Sequence, residues 1–314
     1  MAHAQQPQPS ILNHKPLLLA GPTAVGKSVV ALLLAERFGG EIISVDSMQV
    51  YRGLDIGTAK PSASDRERVR HHLIDVVDLT ETFDAAKFAR LAHQAVKETQ
   101  ARGHRPILCG GTGFYFKVFL EGLGDAPPAD AALRTELAAA PLAELLRELE
   151  QRDPITFQRI DRQNPRRVIR AVEVIRMTGK PFSVQRAERN NASSCSHQGP
   201  DFFCLVRESA DLHSRFDARV ENMFRQGLVE ETKRLLERGL AENKTAMQSL
   251  GYRQVVEHLR GERSLAETIE LIKIRTRQFA KRQMTWFRRQ ATLTWLHAEP
   301  QTSAETVVNQ IVAC

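Results

Sequence analysis

Short apolar runs alternate with longer amphipathic segments through the first third of the chain. Residues 16–20 are apolar in an unbroken run, and residues 27–38 repeat apolar positions at three- and four-residue spacing. The first pattern predicts a buried strand and the second a helix. The same criteria predict strands over EIISVDS and RPILCGGT, with a helix from about Asp84 to Arg102 between them. This alternation predicts an α/β fold, a parallel sheet flanked by helices, with ligands at the carboxyl ends of the strands.

The pattern changes after the GDAPPAD segment at residues 124–130. Residues 133–153 and 164–179 carry apolar positions at helical spacing only, before a polar loop, RNNASSCSHQGP. FFCLVRE then predicts a strand that returns to the sheet. We therefore expect an all-helical insertion at 124–190 within an α/β core formed by residues 16–123 and 191–314. Helices dominate again over residues 211–289, and TLTWLHA predicts a short last strand.

The first predicted strand leads into GPTAVGKS, whose spacing fits G-x-x-x-x-G-K-[ST]. In this pattern glycines let backbone N–H groups surround phosphate oxygens, and the following helix directs its positive end at the same anion. Lys27 would neutralise phosphate charge, and the Ser28 hydroxyl would bind Mg²⁺. The motif predicts a P-loop, as in ATP-binding proteins, but does not by itself identify ATP as the ligand. The loop comprises Gly21, Pro22, Thr23, Ala24, Val25, Gly26, Lys27 and Ser28.

Asp46 ends the second predicted strand and should lie near this loop. A carboxylate there could help to hold Mg²⁺, act as a general base, or merely cap the following turn. Ser47, Gln49 and Tyr51 add groups that could hydrogen-bond a base or a sugar. The GGTGFY turn could admit a ligand closely and offer Thr112 as a donor, although a simple tight turn would look the same.

Basic residues are concentrated near the carboxyl end, where no acidic residue occurs between Glu270 and Glu299. Helical spacing predicts one core-facing stripe and a separate basic face. Charge of one sign favours phosphate contact over a merely solvated face. The predicted stripe is Ile269, Ile272, Thr276, Phe279, Gln283 and Trp286, and the predicted basic face is Arg277, Lys281 and Arg288.

Two further arginine pairs could bind anions. Arg215 and Arg219 lie one helical turn apart and could reach one anion together, or pair with neighbouring acids such as Asp217 and Glu221. QNPRR, at residues 163–167, adds a basic cluster at a helix start, where Pro165 is favourable.

Composition narrows the class only a little. The net charge of +7 over 314 residues fits either a polyanionic partner or an ordinary basic enzyme. Four scattered cysteines exclude a C-x-x-C metal site and indicate reduced thiols. No run approaches the ~20 apolar residues of a membrane helix, and the first fifteen residues lack a signal-peptide pattern. We expect a disordered tail at 1–15 and a cytoplasmic protein.

Together these motifs resemble the tRNA dimethylallyltransferase (isopentenyl-tRNA transferase) family over nearly the whole chain. The DSMQVY to DIGTAKP block and AKRQMTWFR are far more specific than the phosphate loop. Val25 and Phe114 replace a serine and a leucine that are common in the family, and no zinc-binding extension follows, so the chain resembles bacterial members. The matching stretches are GPTAVGKS, SVDSMQVYRGLDIGTAKP, HHLID, GGTGFY, QNPRR, SLGYRQ and FAKRQMTWFR.

The resemblance implies Mg²⁺-dependent transfer of a dimethylallyl group from dimethylallyl diphosphate to an adenine N6. The adenine would be position 37, beside the anticodon, in tRNAs reading codons that begin with U. The phosphate loop would then hold the diphosphate of the prenyl donor. Asp46 would be the general base, Thr112 would bind near the reacting groups, and Arg219, with Arg215 the less favoured alternative, would clamp the diphosphate.

The resemblance also implies a set of tRNA contacts and a monomeric protein. A stacked adenine cannot reach a buried site, so the base must swing out. The main rival reading is a small-molecule or nucleoside kinase of the P-loop fold, which would leave the basic clusters without a role. The implied contacts are Asp46, Ser47, Met48, Gln49, Thr112, Arg134, Gln163, Asn164, Pro165, Arg166, Arg167, Gln248, Ser249, Leu250, Gly251, Tyr252, Arg253, Lys281, Arg282, Gln283, Met284, Thr285, Trp286, Phe287 and Arg288.

Overall fold

Six parallel strands form one sheet in the computed structural model of the chain, which describes residues 15–123, 127–184, 201–290 and 292–314. The spatial order is β3-β2-β4-β1-β5-β6, so β1 lies between β4 and β5. Parallel strands require crossover connections, and helices supply them here. The strands are β1 Leu17–Ala20, β2 Gly40–Val45, β3 His71–His72, β4 Arg105–Gly110, β5 Asp201–Arg207 and β6 Thr294–Ala298.

Thirteen helices are bounded within the described residues, and their ends follow local capping chemistry. Asp84 accepts a hydrogen bond from Lys87 N–H at the start of α3, and Asn164 precedes Pro165 at the start of α8. The helices are α1 Lys27–Phe38, α2 Ala63–Arg68, α3 Ala85–Ala101, α4 Gly113–Glu121, α5 Ala131–Ala139, α6 Leu142–Arg152, α7 Pro154–Arg159, α8 Pro165–Thr178, α9 Ser209–Arg225, α10 Leu228–Glu237, α11 Tyr252–Leu259, α12 Leu265–Gln290 and α13 Ala304–Val312.

The chain divides into two compact units, with boundaries at 119/120 and 199/200. The core unit contains the sheet, which is covered on both faces: Leu18 and Ala20 pack into one apolar cluster, and Leu17 and Leu19 into the other. The insertion unit contains α5 to α8 and buries a cluster of its own. The sequence analysis predicted an insertion over residues 124–190.

The predicted elements agree with the structure where the apolar pattern is long. Helix α1 has the predicted bounds, while the predicted helical stretch 133–153 divides near Pro141 into α5 and α6. The prediction missed β3, which has two residues, and α13. Phe279, predicted to face the core, is 38% exposed. Residues 1–14 of the predicted tail and the RNNASSCSHQGP loop lie outside the described residues, and no described helix could cross a bilayer.

Candidate active site at the carboxyl ends of the strands

Three chain segments meet at the carboxyl edge of the sheet. Gly110 is in register with Ala20 on one side and with Val45 on the other. The residues that follow these strand ends are the phosphate loop, Asp46 and the turn that carries Thr112. The Thr112 N–H donates to the Val45 carbonyl at 3.3 Å, which joins two of these segments directly. The strand order therefore brings the three predicted segments to one edge of the sheet.

The phosphate loop has a backbone that glycine makes accessible. Gly21, Ala24 and Gly26 all have positive φ, at 148°, 58° and 105°. A Cβ on Gly26 would meet no atom within 4 Å, so the loop is open on that side. No side chain caps α1 and no acidic residue lies in its first turn. The N-terminal N–H groups of α1 therefore have no competing carboxylate and suit an anion.

Lys27 is held at the base of the loop in a state prepared for an anion. Its Nζ donates to the Pro22 carbonyl at 2.5 Å. Burial and, to a smaller extent, the neighbouring Arg219 cation lower the pKa of Lys27 to about 8, against the opposing effects of Cys109 and Asp46. A bound phosphate would place a compensating negative charge beside this ammonium group.

The two candidate arginines of α9 have different surroundings. Arg215 Nε donates to Asp211 at 3.1 Å, so its charge is already compensated. Arg219 has no hydrogen-bond or ion-pair partner within the described part of the chain. Burial lowers the pKa of Arg219, and Asp46 partly counteracts this. The structure therefore brings Arg219, together with Lys27 and Asp46, to the phosphate loop, and it places Arg215 in a surface ion pair.

Asp46 uses only half of its carboxylate locally. Oδ1 accepts from the backbone N–H groups of Met48 and Gln49 at 2.8 and 3.3 Å, an arrangement that fixes the turn after β2. No described group bonds Oδ2. The capping interpretation and the chemical interpretation are thus compatible, because one oxygen holds the turn and the other is left for a ligand.

The Gln49 side chain supports this turn instead of facing outward. Oε1 accepts from the Ser44 hydroxyl at 2.9 Å, and Nε2 donates to the Thr58 and Ala59 carbonyls. Lys60 then holds the same loop by donating to the Tyr51 carbonyl at 2.7 Å. The implied RNA contact at Gln49 therefore meets a side-chain amide that is already engaged.

The second glycine-rich turn is crowded by helix α12. A Cβ on Gly111 would lie 2.3 Å from Gln283 Nε2, and one on Gly113 would lie 2.1 Å from the Trp286 ring. A Cβ on Gly110 would lie 2.1 Å from the Val45 carbonyl oxygen. The glycines are required for packing, and the sequence interpretation that they admit a ligand is corrected at these positions.

Several implied tRNA contacts in the core unit are interior residues. Phe287 and Tyr252 are fully buried, and Gln283 is 8% exposed. The Tyr252 hydroxyl donates to Glu231 at 2.5 Å and accepts from Gly57 N–H at 3.0 Å. Ser249 and Gly251 are also buried, while Leu250, Met284 and Trp286 are half-buried. These buried residues are not available on the surface. The motifs implied continuous ranges of tRNA contacts, and burial removes these members from them. The exposed members are Gln248, Arg253, Lys281, Arg282, Thr285 and Arg288.

The remaining basic residues of α12 follow the predicted separation of faces in part. Arg277 is paired with Asp217 at 2.7 Å, so it does not present free charge. Lys281 and Arg288 have no ion-pair partner within the described residues. They line a groove of about 920 Å³ between α9 and α12, together with the exposed His213.

In the insertion unit, the residues implied to contact tRNA lie near the start of α8 and on α5. Gln163, Asn164, Arg166 and Arg167 form the segment that enters α8, and the Asn164 side chain accepts from Arg167 N–H. Arg134 pairs with Glu173, which is fully buried, at 2.9 Å, so its guanidinium is anchored at one edge. Burial raises the pKa of the Glu173 carboxyl, but its arginine partners hold the net value below the ordinary range.

Two side chains that position the phosphate loop were not identified from sequence as doing so. Gln283 accepts from Thr23 N–H at 3.0 Å. Arg207 Nε donates to the Val25 carbonyl at 3.0 Å, and its terminal nitrogens bond Asp211 and the Glu299 carbonyl. Helical spacing correctly predicted that Gln283 faces the core. The resemblance, in contrast, implied that Gln283 contacts tRNA.

The fold and this edge define a P-loop protein with an all-helical insertion. Residues 49–290 match the family model described as IPP transferase. The chain is 45% identical over 298 residues to tRNA dimethylallyltransferase 1 of Citrifermentans bemidjiense, covering 95% of this chain and 96% of the relative. It is 45% identical over 287 residues to tRNA dimethylallyltransferase of Geobacter metallireducens, covering 89% and 91%. The chain belongs to the IPP transferase family.

Solved structures agree with this membership. The full-length tRNA isopentenylpyrophosphate transferase of Bacillus halodurans matches with a TM-score of 0.69 and 37% identity, over 96% of this chain and 95% of that one. A eukaryotic dimethylallyltransferase acting on tRNA matches with a TM-score of 0.81 and 28% identity, over 95% and 77%. The predicted P-loop fold, with a parallel sheet flanked by helices, is confirmed.

Proposed function

We propose that the chain is a tRNA dimethylallyltransferase, which transfers a dimethylallyl group from dimethylallyl diphosphate to N6 of an adenine in tRNA. The observation that carries the proposal is Arg219, which has no ion-pair partner within the described residues and whose charge interacts with those of Lys27 and Asp46 at the phosphate loop. Two partly buried cations with no ion-pair partner in the part of the chain that the structure describes favour an anionic ligand of high charge, such as a diphosphate. The names of the relatives supply the same substrate class.

The donor half of the reaction needs stabilisation of a leaving group. As the allylic C–O bond breaks, its electron pair stays on the diphosphate, whose negative charge grows. Lys27, Arg219 and the N–H groups at the start of α1 lie where they would stabilise this charge. Lys27 and the helix N–H groups are fixed in advance, so they need little reorganisation as the bond breaks.

Ser28 is the residue that would hold Mg²⁺. Its hydroxyl lies in the first turn of α1, is exposed, and has no partner within the described part of the chain. No group of three or more His, Cys, Asp or Glu side chains in the described residues could form a metal site. A single hydroxyl fits Mg²⁺ that takes its other ligands from phosphate oxygens and water. When bound, the ion would neutralise charge on the diphosphate.

The acceptor half needs a base, because the lone pair of an adenine N6 amine is delocalised into the ring. Asp46 Oδ2 accepts no hydrogen bond from the described residues, while Oδ1 fixes the orientation of the carboxylate. The new N–C bond would form from the N6 electron pair to the allyl carbon, and Oδ2 would accept the N6 proton. General-base help of this kind contributes typically ~10²–10⁴-fold to the rate. Thr112, on the adjacent turn, would hold the reacting amine or the diphosphate.

The finer substrate assignment rests on the resemblance. We propose adenine 37 of tRNAs that read codons beginning with U as the target, with N6-(dimethylallyl)adenosine as the product. Monomeric state and cytoplasmic location stay predictions.

Transfer of label provides the direct test. Unmodified tRNA, Mg²⁺ and labelled dimethylallyl diphosphate should give labelled tRNA, and nuclease digestion should locate the label on one adenosine. Label that stays in the small-molecule fraction would refute the proposal. The rival reading, a small-molecule or nucleoside kinase, predicts instead that γ-labelled ATP transfers its phosphate to a nucleoside.

Asp46→Asn is the sharpest variant for the base. Asparagine keeps an oxygen that can accept from Met48 and Gln49 N–H, so the turn is retained while the proton acceptor is lost. We expect kcat to fall ~10²–10⁴-fold with unchanged tRNA affinity. Asp84→Asn, at the start of α3, is the matched control, because asparagine caps a helix as well as aspartate. Equal activities of the two variants would exclude Asp46 as the base.

A further inference from the structure

Gln283 joins the two glycine-rich turns of the site through a single side-chain amide. Its Oε1 accepts from Thr23 N–H at 3.0 Å, and its Nε2 donates to the Gly111 carbonyl at 2.9 Å. The partners fix the orientation of the amide, because a backbone N–H can only donate and a carbonyl can only accept. The bond to the Gly111 carbonyl is buried and the bond from Thr23 N–H is partly buried, and Gln283 itself is 8% exposed.

Gln283 and Lys27 together hold one peptide group of the phosphate loop, each from its own side. The Pro22 carbonyl and the Thr23 N–H belong to one planar peptide unit and point in opposite directions. Lys27 Nζ donates to that carbonyl at 2.5 Å, while Gln283 accepts from the N–H. Rotation of this peptide would break both bonds at once. The resting position of Lys27 therefore depends on a side chain from α12.

We propose that Gln283 is a positioning residue, which holds the Pro22–Thr23 peptide and the Gly111 turn in the geometry that binds the diphosphate and places Thr112. The inference rests on the proposed use of the loop for a diphosphate donor. It replaces the implied tRNA contact at this position. The donor cradle and the turn on the acceptor side are thereby assembled together before either substrate binds.

The space around the amide is tightly packed. A Cβ on Gly111 would lie 2.3 Å from Nε2, and the neighbouring Trp286 ring fills the space beside Gly113. Buried polar groups that lose a partner are costly, so loss of either bond would favour a rearranged turn. Exposed neighbours on α12, such as Arg282 and Thr285, do not share these constraints.

Gln283→Met tests the role, because methionine has similar length and no hydrogen-bonding amide. Affinity for pyrophosphate with Mg²⁺ is measured by calorimetry on the full chain, beside donor KM, kcat and tRNA affinity. We expect pyrophosphate affinity to fall at least about tenfold and donor KM to rise, with tRNA affinity within about twofold of wild type. Gln278→Met, an exposed glutamine on the same helix, is the matched control and should bind pyrophosphate like wild type.

Gly111→Ala provides a second variant should Gln283→Met fail to fold. Its added methyl would displace the amide while Gln283 remains present. We expect the same loss of pyrophosphate affinity. A lower melting temperature with unchanged pyrophosphate affinity would show that Gln283 only fills space. A loss of tRNA affinity alone would show that Gln283 contacts tRNA and does not position the phosphate loop. Both outcomes overturn the inference. Wild-type protein that binds pyrophosphate but prenylates no tRNA would refute the proposed function without touching this result.

Discussion

At the scale of single residues, charge compensation separates two arginines that the sequence could not. Arg215 is paired with Asp211, and Arg219 is left facing Lys27 and Asp46. Spacing along α9 gave both arginines the same access to an anion, since they lie one turn apart. The position of the acidic partner decided between them. That partner, Asp211, precedes the pair, whereas the sequence analysis had considered Asp217 and Glu221.

Arg219→Gln should weaken pyrophosphate binding about tenfold or more, because hydrogen bonds between charged groups contribute about 1.5–3 kcal/mol. Arg215→Gln is the control and should change it less than about threefold, since its guanidinium is already paired. Calorimetric titration of both variants with pyrophosphate and Mg²⁺ provides the comparison. Equal losses would mean that Arg215 leaves Asp211 when the anion binds.

Lys27 should make anion binding depend on pH. Its pKa of about 8 is low because the charged form is buried beside another cation. A bound anion favours the charged form and raises the pKa. Binding above pH 8 should therefore take up a proton, and affinity should fall as pH rises through that range. Calorimetry at pH 8.5 in buffers of different ionisation enthalpy measures the uptake. Lys27→Arg, which stays charged, should lack it, and uptake that persists would exclude Lys27 as its source.

At the scale of elements, Glu41 couples β2 to α3 and β3. The carboxylate is 4% exposed, accepts from Arg102 Nε and a terminal nitrogen at 2.8 and 2.7 Å, and lies 2.6 Å from His72 Nε2. Burial alone would raise the pKa of Glu41, but the hydrogen bonds from Arg102 and His72 bring it down to about 2. The folded state therefore favours the ionised form of this carboxylate.

Glu41→Gln should lower the free energy of unfolding by about 1.5–3 kcal/mol at pH 7. The folded pKa lies below the unfolded value, so the stabilisation is present above about pH 4.5 and is lost as pH falls towards 2. Urea unfolding across this window should show the difference between wild type and variant shrinking on acidification. A difference that stays constant would mean that Glu41 contributes by packing alone.

Sequence patterns predicted the bounds of long helices better than they predicted which residues of a helix are buried. Long apolar repeats gave the bounds of α1 and α3 almost to the residue, because one buried face is enough to set a helix. The two residues of β3 carry no repeat, so no periodic signal could reveal them. A motif carried over by resemblance gives a continuous range, whereas a helix turns 100° per residue and buries part of it. Phe287 and Arg288 are adjacent in sequence, yet one is buried and the other exposed.

At the scale of the whole molecule, the candidate active-site residues and one of the basic clusters belong to different units. The phosphate loop, Asp46, Thr112 and Arg219 all belong to the core unit, while QNPRR belongs to the insertion unit, which has its own apolar core. The carboxyl edge of a parallel sheet could be foreseen from strand alternation. The hydrogen bonds by which Gln283 links the two glycine-rich turns could not be foreseen, because Gln283 lies on a helix more than 170 residues further along the chain.

Contacts with RNA phosphates should appear in the salt dependence of tRNA binding. Arg282 is exposed on α12, and Arg167 lies in the first turn of α8. Each phosphate contact releases counterions, so Arg282→Ala and Arg167→Ala should each reduce the slope of log K against log salt by about 0.7–0.9. Arg68→Ala is the control, because its guanidinium already pairs with Glu36 at 2.8 Å. Pyrophosphate affinity should stay unchanged in all three, since none belongs to the phosphate loop. Slopes equal to that of wild type would assign both arginines to solvated surface.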